Sequence, residues 1–385
     1  MLNLRKGSTE QELAGFFATL EEQPVASATP TRAAFSKARK QLSEKVFPAL
    51  NRDAIETFRS GWATPLWHGF RVFAVDGTTL RLPSGSALAA FFGLQPSGPT
   101  LARASILYDV GHDLVVDTQV AAACVSEREL AVEHLAATRP GDLLLYDRGY
   151  QAFWLFALHL KLGVEFCMRL PRGSFSAADP FWESAEDSAI ITLDPSSAQR
   201  RDCRAQGVSE ASIRVRLVRV RLRGGETEVL ATSILEEERL PARLFAQLYH
   251  RRWSVEESYK RQKRWLEIEN FSGRSVLAVR QDIHAKILAL NLAAMVRAVA
   301  QQLADRHFAA RKLAYQVRGC AALSAMKNNL VRFLLGSPHE REGLLKLLIQ
   351  QLSTFVDAVR PDRRFPRSNP GKLKPGFHMP YKRAA

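Results

Sequence analysis

The stretch YHRRWSVEESYKRQK, residues 249–263, sets carboxylates among cations on one helical edge. Wound at roughly 100° per residue, the run from about 240 to 266 gathers Leu244, Leu248, Val255, Tyr259 and Leu266 on an apolar stripe. Beside that stripe, within an arc of roughly 80°, fall Tyr249, Arg252, Glu256, Lys260 and Lys263. A carboxylate is the oxygen ligand that hard cations such as Mg²⁺ take, with no need of Cys or His. A lone acid flanked by cations is an unusual choice for a merely solvated face. The plainer reading is an amphipathic helix carrying i,i+4 ion pairs, and the helix taken alone leaves both open.

Two more acids stand where a strand would hold them stiffly. In FRVFAVDGTTLRLP (70–83) the apolar residues Phe70, Val72, Phe73, Val75 and Leu80 surround Asp76. A type I′ hairpin turn at Asp76-Gly77 is the competing reading. In DLLLYDRGYQAFWLFALHLKLG (142–163), Leu143 to Tyr146 read as a short buried strand, with Asp147 at its carboxyl end before a helix starting near Tyr150. Sites in open sheets favour that edge, although capping of the helix by Asp147 is an equal alternative. Between the two, residues 101–122 give a pair of strands around the Gly111-His112-Asp113 turn. With 70–83 they make an antiparallel meander. Asp109, Asp113 and Asp117 in this pair are rival metal ligands, explained otherwise by the turn and by surface exposure.

A formal charge of +15 and a pI near 10 over 385 residues point to a polyanionic partner, most simply nucleic acid. The length allows more than one domain, or one core with an insertion. No membrane association is expected: AKILALNLAAMV (285–296) is short and interrupted by Lys286 and Asn291. The first residues lack a signal-peptide pattern, so export is not expected either. Cys124, Cys167, Cys203 and Cys320 are widely spaced and form no CxxC pair, which argues against a zinc ribbon or a disulfide framework and fits a reducing cytosol.

Several elements must position these residues. Near the start, TPTRAAFSKARKQLSEKVF places Arg32, Lys37, Arg39 and Lys40 on a helix expected to begin after Thr29-Pro30, either a groove-reading basic helix or a solvated one. SERELAVEHLAA (126–137) carries a capping box, Ser126 with Glu129. VEFCMRLP (164–171) is another strand. In SIRVRLVRVRLR, Arg214, Arg216, Arg219, Arg221 and Arg223 interleave with Ile, Val and Leu, and Gly224-Gly225 supplies a hairpin turn. Those arginines suit phosphates or an edge-strand defence equally. Residues 267–355 read as largely helical, and the Pro-rich basic tail from Arg360 is expected to lie extended.

The spacing Tyr249, Arg252, Glu256, Lys263 resembles the Tyr-Arg-Glu-Lys motif of bacterial DDE transposases of the insertion-sequence-4 group, and Asp147-Arg148-Gly149-Tyr150 resembles that family's second Asp motif. The resemblance implies an α/β, ribonuclease-H-like catalytic domain, a mixed sheet with flanking helices. It would run over 66–171 and 236–275, interrupted by a β-rich insertion at 172–235. A helical DNA-binding region (1–65), a helical C-terminal region (276–359) and the basic tail (360–385) complete the expected organisation. It further implies Asp76, Asp147 and Glu256 as catalytic residues and ligands of two Mg²⁺ ions, with Mn²⁺ as a substitute. Tyr249, Arg252, Lys260, Lys263, Arg148 and Trp253, together with Arg32, Lys37, Arg39 and Lys40, are the expected DNA contacts. For Trp253 and Trp265, packing in the core competes with stacking on a base.

The implied activity is cleavage at insertion-sequence ends and transfer of 3′-hydroxyls to target DNA. The partners would be double-stranded DNA, as terminal inverted repeats and target, and a second copy of the chain in a synaptic complex, in the bacterial cytoplasm at the nucleoid. A nuclease of the same fold and a DNA binder without catalysis are the alternatives.

Overall fold

The computed structural model describes residues 8–93, 98–222 and 225–360. Arg223, Gly224 and the basic tail from residue 361 lie outside the described residues. The chain divides into two compact units, one made of 59–81 and 90–261, the other of 1–58, 82–89 and 262–385.

The first of these contains the sheet. Its strands are β1 (Val72–Arg81), β2 (Leu101–Asp109), β3 (Leu114–Ala122), β4 (Leu143–Tyr146), β5 (Glu165–Leu170), β6 (Ser188–Leu193), β7 (Ile213–Arg221) and β8 (Thr227–Thr232). They lie in the order β3-β2-β1-β4-β5-β8-β7-β6. β1, β2 and β3 form the antiparallel meander, with Asp113 in the left-handed region at φ 62° in its turn. β4 runs parallel to β1, and β5 parallel to β4. This mixed sheet with flanking helices is the ribonuclease-H-like fold. The strands of 172–235 make no separate sheet: β8 pairs antiparallel with β5 and continues the main one through β7 and β6.

Apolar runs account for the burial. Phe73, Val75, Leu144, Tyr146, Phe166 and Met168 join one cluster with Val215, Leu217, Val229 and Ala231, so a single core reaches under the added strands. The expected split of β7 into an apolar and a cationic face is only partial. Arg214 and Arg221 are exposed, but Arg216 is 1% exposed, lying over the Phe245 ring and donating to Ser188 Oγ at 2.7 Å and Leu240 O at 2.8 Å. A buried guanidinium must be bonded on several sides, so this arginine is structural.

In chain order the helices are α1 (Thr9–Leu20), α2 (Arg32–Arg39), α3 (Val46–Gly61), α4 (Ser86–Phe92), α5 (Glu127–Leu135), α6 (Phe153–Leu162), α7 (Asp179–Glu183), α8 (Ser197–Ala205), α9 (Phe245–His250) and α10 (Trp253–Arg264), followed by α11 (Val276–His307), α12 (Gly319–Leu335) and α13 (Pro338–Thr354). The Ser126–Glu129 capping box opens α5 as expected. α2 begins after Thr29-Pro30 as expected, at Arg32, with the Thr31 side chain in the N-cap position accepting from Ala34 N–H. α6 starts at Phe153, three residues beyond Tyr150, so Asp147 does not cap it.

The helix expected over about 240–266 is broken. After α9, the amides of Arg251 and Arg252 bond to Leu248 O and Tyr249 O, each three residues back, and this tighter turn re-aims the chain into α10.

The second unit is helical around α11, with the small pair β9 (Tyr315–Val317) and β10 (Val356–Ala358). α11 is long and apolar enough to cross a membrane by length and composition, yet most of its apolar window is buried inside the protein. Its polar residues are bonded there: Lys286 donates to Glu267 O and Asn270 O, both at 2.8 Å, and Asn291 to Asn51 Oδ1 at 2.7 Å.

Arg39 belongs to the same unit and is 7% exposed. Its guanidinium pairs with Asp282 at 3.0 Å and bonds Gln281, Ser272 and Ala278 O, so it faces inward while Arg32, Lys37 and Lys40 are exposed. Arg39→Ala leaves Asp282 buried without its cation and is expected to cost about 3 kcal/mol of stability. Denaturant melts of the variant measure it, and an unshifted midpoint removes the structural role.

Candidate active site

β1 does not turn at Asp76-Gly77. The strand runs on to Arg81, and Asp76 and Gly77 pair with Ile106 and Ser105 of β2. The parallel ladder between β1 and β4 stops at Ala74 opposite Leu145. Continued by two residues, that register sets Asp76 beside Asp147, the first residue past β4. Asp76 therefore lies along β1, where its neighbour strand has just ended.

Gly77 has a steric reason to be glycine. A Cβ there would sit 2.7 Å from Glu127 Cδ and 2.8 Å from its Oε1. Glu127, in the first turn of α5 and paired with Arg103 at 3.2 Å, therefore lies against β1 next to Asp76. Gly77→Ala is expected to push the Glu127 side chain aside at about 1 kcal/mol, since the contact is with a flexible end. A crystal structure of the variant with Glu127 unmoved would contradict this.

Each acid of the trio has a local partner. Asp76 Oδ1 accepts the Gly77 N–H at 2.9 Å, and Asp147 Oδ1 accepts the Gly149 N–H at 2.7 Å. On α10, Glu256 Oε1 accepts from Arg252 at 2.9 Å. Burial pushes the Asp76 carboxyl up to about 7; the charges of Asp147 and Glu256 add to this, while the Gly77 N–H and Arg252 oppose it. The three acids thus share one electrostatic field, from β1, from the end of β4 and from α10.

Among the described residues, no group of three or more His, Cys, Asp or Glu side chains is arranged to hold a metal ion as it stands. The donor chemistry nevertheless fits a hard divalent cation: carboxylate oxygens only, one of them pushed by burial up to about 7.

The rival acids are engaged elsewhere. Asp109 is 5% exposed, against the expected surface position, and bonds Arg59 at 2.5 Å and His112 at 2.9 Å. Asp113 pairs with Arg261 at 2.5 Å. Asp117 bonds His134 Nδ1 at 2.6 Å, whose Nε2 lies 2.9 Å from Ser105 Oγ, and Ser105 in turn donates to the Asp76 carbonyl at 3.3 Å.

The expected DNA contacts divide by exposure. Arg148, Lys260 and Trp253 are exposed, Trp253 at 43%, and Lys260 pairs with Glu257. Lys263 lies on the last turn of α10, in the part of the chain assigned to the other unit. Arg252 is 7% exposed, with the rings of Tyr249 and Trp253 at 5.5 and 5.3 Å from its guanidinium carbon. Tyr249 is buried, its hydroxyl donating to Tyr146 O at 3.2 Å.

Glu127, Ser105, His134 and Tyr259 were not marked as site residues by the sequence. Glu127 sits inside a capping box that already explains an acid, and Tyr259 falls on the apolar stripe. A usable signal existed for Tyr259 alone: it lies three residues from Glu256 and carries a hydroxyl that needs a partner when buried.

The family described as transposase DDE domain matches residues 67–292, which include all three acids. The transposase InsG of insertion sequence element IS4, from Escherichia coli (strain K12), is 23% identical over 263 residues, 66% of this chain and 59% of InsG. The chain thus spans about three fifths of that relative's length. Among solved structures, a cryo-EM structure of the piggyBac transposase synaptic complex with hairpin DNA is similar at a TM-score of 0.40 and 11% identity, over 80% of this chain and 60% of that one. With a match over more than half its length, the chain belongs to the DDE transposase family.

Proposed function

We propose that the protein is the transposase of a bacterial insertion sequence of the IS4 group, which binds terminal inverted repeats, cleaves DNA and joins 3′-hydroxyl ends to target DNA. The observation that carries this is the β1–β4 register, which continued by two residues sets Asp76 beside Asp147, with the charge of Glu256 bearing on the same buried carboxyl. Three carboxylates from remote parts of the chain bear on one buried point, with the Arg252 charge opposing them.

In this reading Asp76, Asp147 and Glu256 would hold a pair of divalent ions, Mg²⁺ with Mn²⁺ as substitute. When bound, the ions supply the charge that stabilises the attacking and leaving oxygens of a phosphodiester. The chain's own residues do the rest. Asp76 would bind an ion as the carboxylate, without the proton that burial favours. Glu256, bonded to Arg252 at 2.9 Å, would be the third ligand, with the Arg252 guanidinium beside it for phosphate. Arg148, Lys260 and Lys263 track the backbone, and Trp253 offers a partly exposed ring for stacking. Arg32, Lys37 and Lys40 on α2 suit a groove of the terminal repeat. Two copies would act in a synaptic complex, in the cytoplasm at the nucleoid.

A strand-transfer assay with cognate ends, Mg²⁺ and a target plasmid tests the reading. Joined product is expected; nicks without joining indicate a nuclease, and a gel shift without cleavage indicates a binder, either of which overturns it.

A further inference from the structure

Two tyrosines flank Glu256 in the chain, Tyr249 seven residues before it and Tyr259 three after, and each reaches the main chain beside one of the strand acids. Tyr249 Oη donates to the carbonyl of Tyr146, the residue preceding Asp147, at 3.2 Å. Tyr259 Oη donates to the carbonyl of Asp76 itself at 2.8 Å. Both acceptors lie past the last β1–β4 pair, Ala74 with Leu145, so neither can find its partner in that ladder. A buried carbonyl needs a donor; the Asp76 carbonyl also accepts from Ser105 Oγ at 3.3 Å, and its shorter bond comes from the segment that carries Glu256.

We propose that Tyr259, on the Glu256 helix, and Tyr249, on α9 just before it, are positioning residues that hold the Glu256 segment in register with the main chains bearing Asp76 and Asp147. The inference rests on the proposed function of these three acids.

Packing alone would be served by Phe. A buried phenol costs free energy unless its hydroxyl is bonded, and both rings are buried, at 5% and 7% exposure. Burial also raises both phenol pKa values, so each hydroxyl keeps its proton at working pH and remains a donor. Tyr249 on α9 and Tyr259 on α10 tie the chain to two strands on either side of the turn at Arg251 and Arg252, which anchors the start of α10 over the sheet edge. Glu256, between the tie points, is then set at a defined distance from both aspartates. Tyr249 has its hydroxyl turned into the protein, so its expected phosphate contact is replaced by this internal one.

The test is single-turnover cleavage by Tyr249→Phe and Tyr259→Phe on preformed complexes with end DNA, beside Glu256→Ala. Loss of a hydroxyl lets the helix shift, and a small misplacement of a reacting group is costly in rate. A fall of about a hundredfold is expected for Tyr259→Phe and about tenfold for Tyr249→Phe, with a raised Mn²⁺ requirement. Affinity for end DNA should stay within about twofold, because neither hydroxyl faces solvent.

Wild-type rates in both Phe variants with a dead Glu256→Ala would overturn the inference alone. A Glu256→Ala protein that cleaves normally would overturn the functional reading beneath it. Weakened DNA binding with an unchanged rate in the bound complex would return Tyr249 to a phosphate contact and also overturn the inference. Should Tyr259→Phe not fold, Tyr249→Phe carries the same test.

Discussion

Asp76→Ala, Asp147→Ala and Glu256→Ala are each expected to lower cleavage of end DNA by at least about a thousandfold while the gel shift on the same DNA is retained, since removing one member of a unit that acts together loses most of its effect. The retained binding follows from where the cations are. Arg148 and Lys260 are exposed, and Arg32, Lys37 and Lys40 lie on another element, so none relies on the three acids for its place. The expected loss of cleavage follows from charge: in the proposed site, two ions shared by three carboxylates would not both be kept once one carboxylate is gone. Pairing the three variants in double-mutant combinations sharpens the test, because losses in one cooperative site do not add. A double variant no worse than either single one is the expected pattern. Full cleavage in any single variant would remove that residue from the site.

What the sequence revealed of this site depended on how local the determining interaction is. Strand β4 was legible because four consecutive apolar residues need burial on both faces, and it runs over Leu143–Tyr146. The capping box of α5 was legible because its two bonds close within four residues. The break between α9 and α10 was not. The apolar stripe continues through it, and only the tighter bonds at Arg251 and Arg252 reveal it. Asp76-Gly77 has the local chemistry of a hairpin turn, yet pairing with Ile106 and Ser105 keeps it extended, a long-range effect that no window around the dipeptide contains. Arg39, Arg216 and Arg252 mark the same boundary. Each looks like a surface cation in a basic chain, and each is buried by partners: Asp282, Leu240 O and Glu256 respectively, the first two far away in sequence.

Proton binding at Asp76 leads to the second large effect, on stability and on metal affinity together. The folded state raises this carboxyl from 3.8 to about 7, first through burial. The unfolded chain ionises more readily, so without metal the native state loses stability as pH rises from about 4 to about 7, and the loss is complete above that. Three units correspond to about 4 kcal/mol as an upper figure, lowered by the residual solvent contact of the side chain. Asp76→Asn removes the charge and keeps the shape. At pH 8 in EDTA the variant is therefore expected to be more stable than the wild type by about 2–4 kcal/mol, with the difference vanishing near pH 4.

Mg²⁺ should reverse the order, since it stabilises only a site that can ionise. Below pH 7 its affinity for the wild type should fall about tenfold per pH unit as the proton competes. Thermal melts of both proteins across pH 4 to 8, with EDTA and with Mg²⁺, measure all of this. Identical curves in EDTA at pH 8 would mean that Asp76 is not held against its charge.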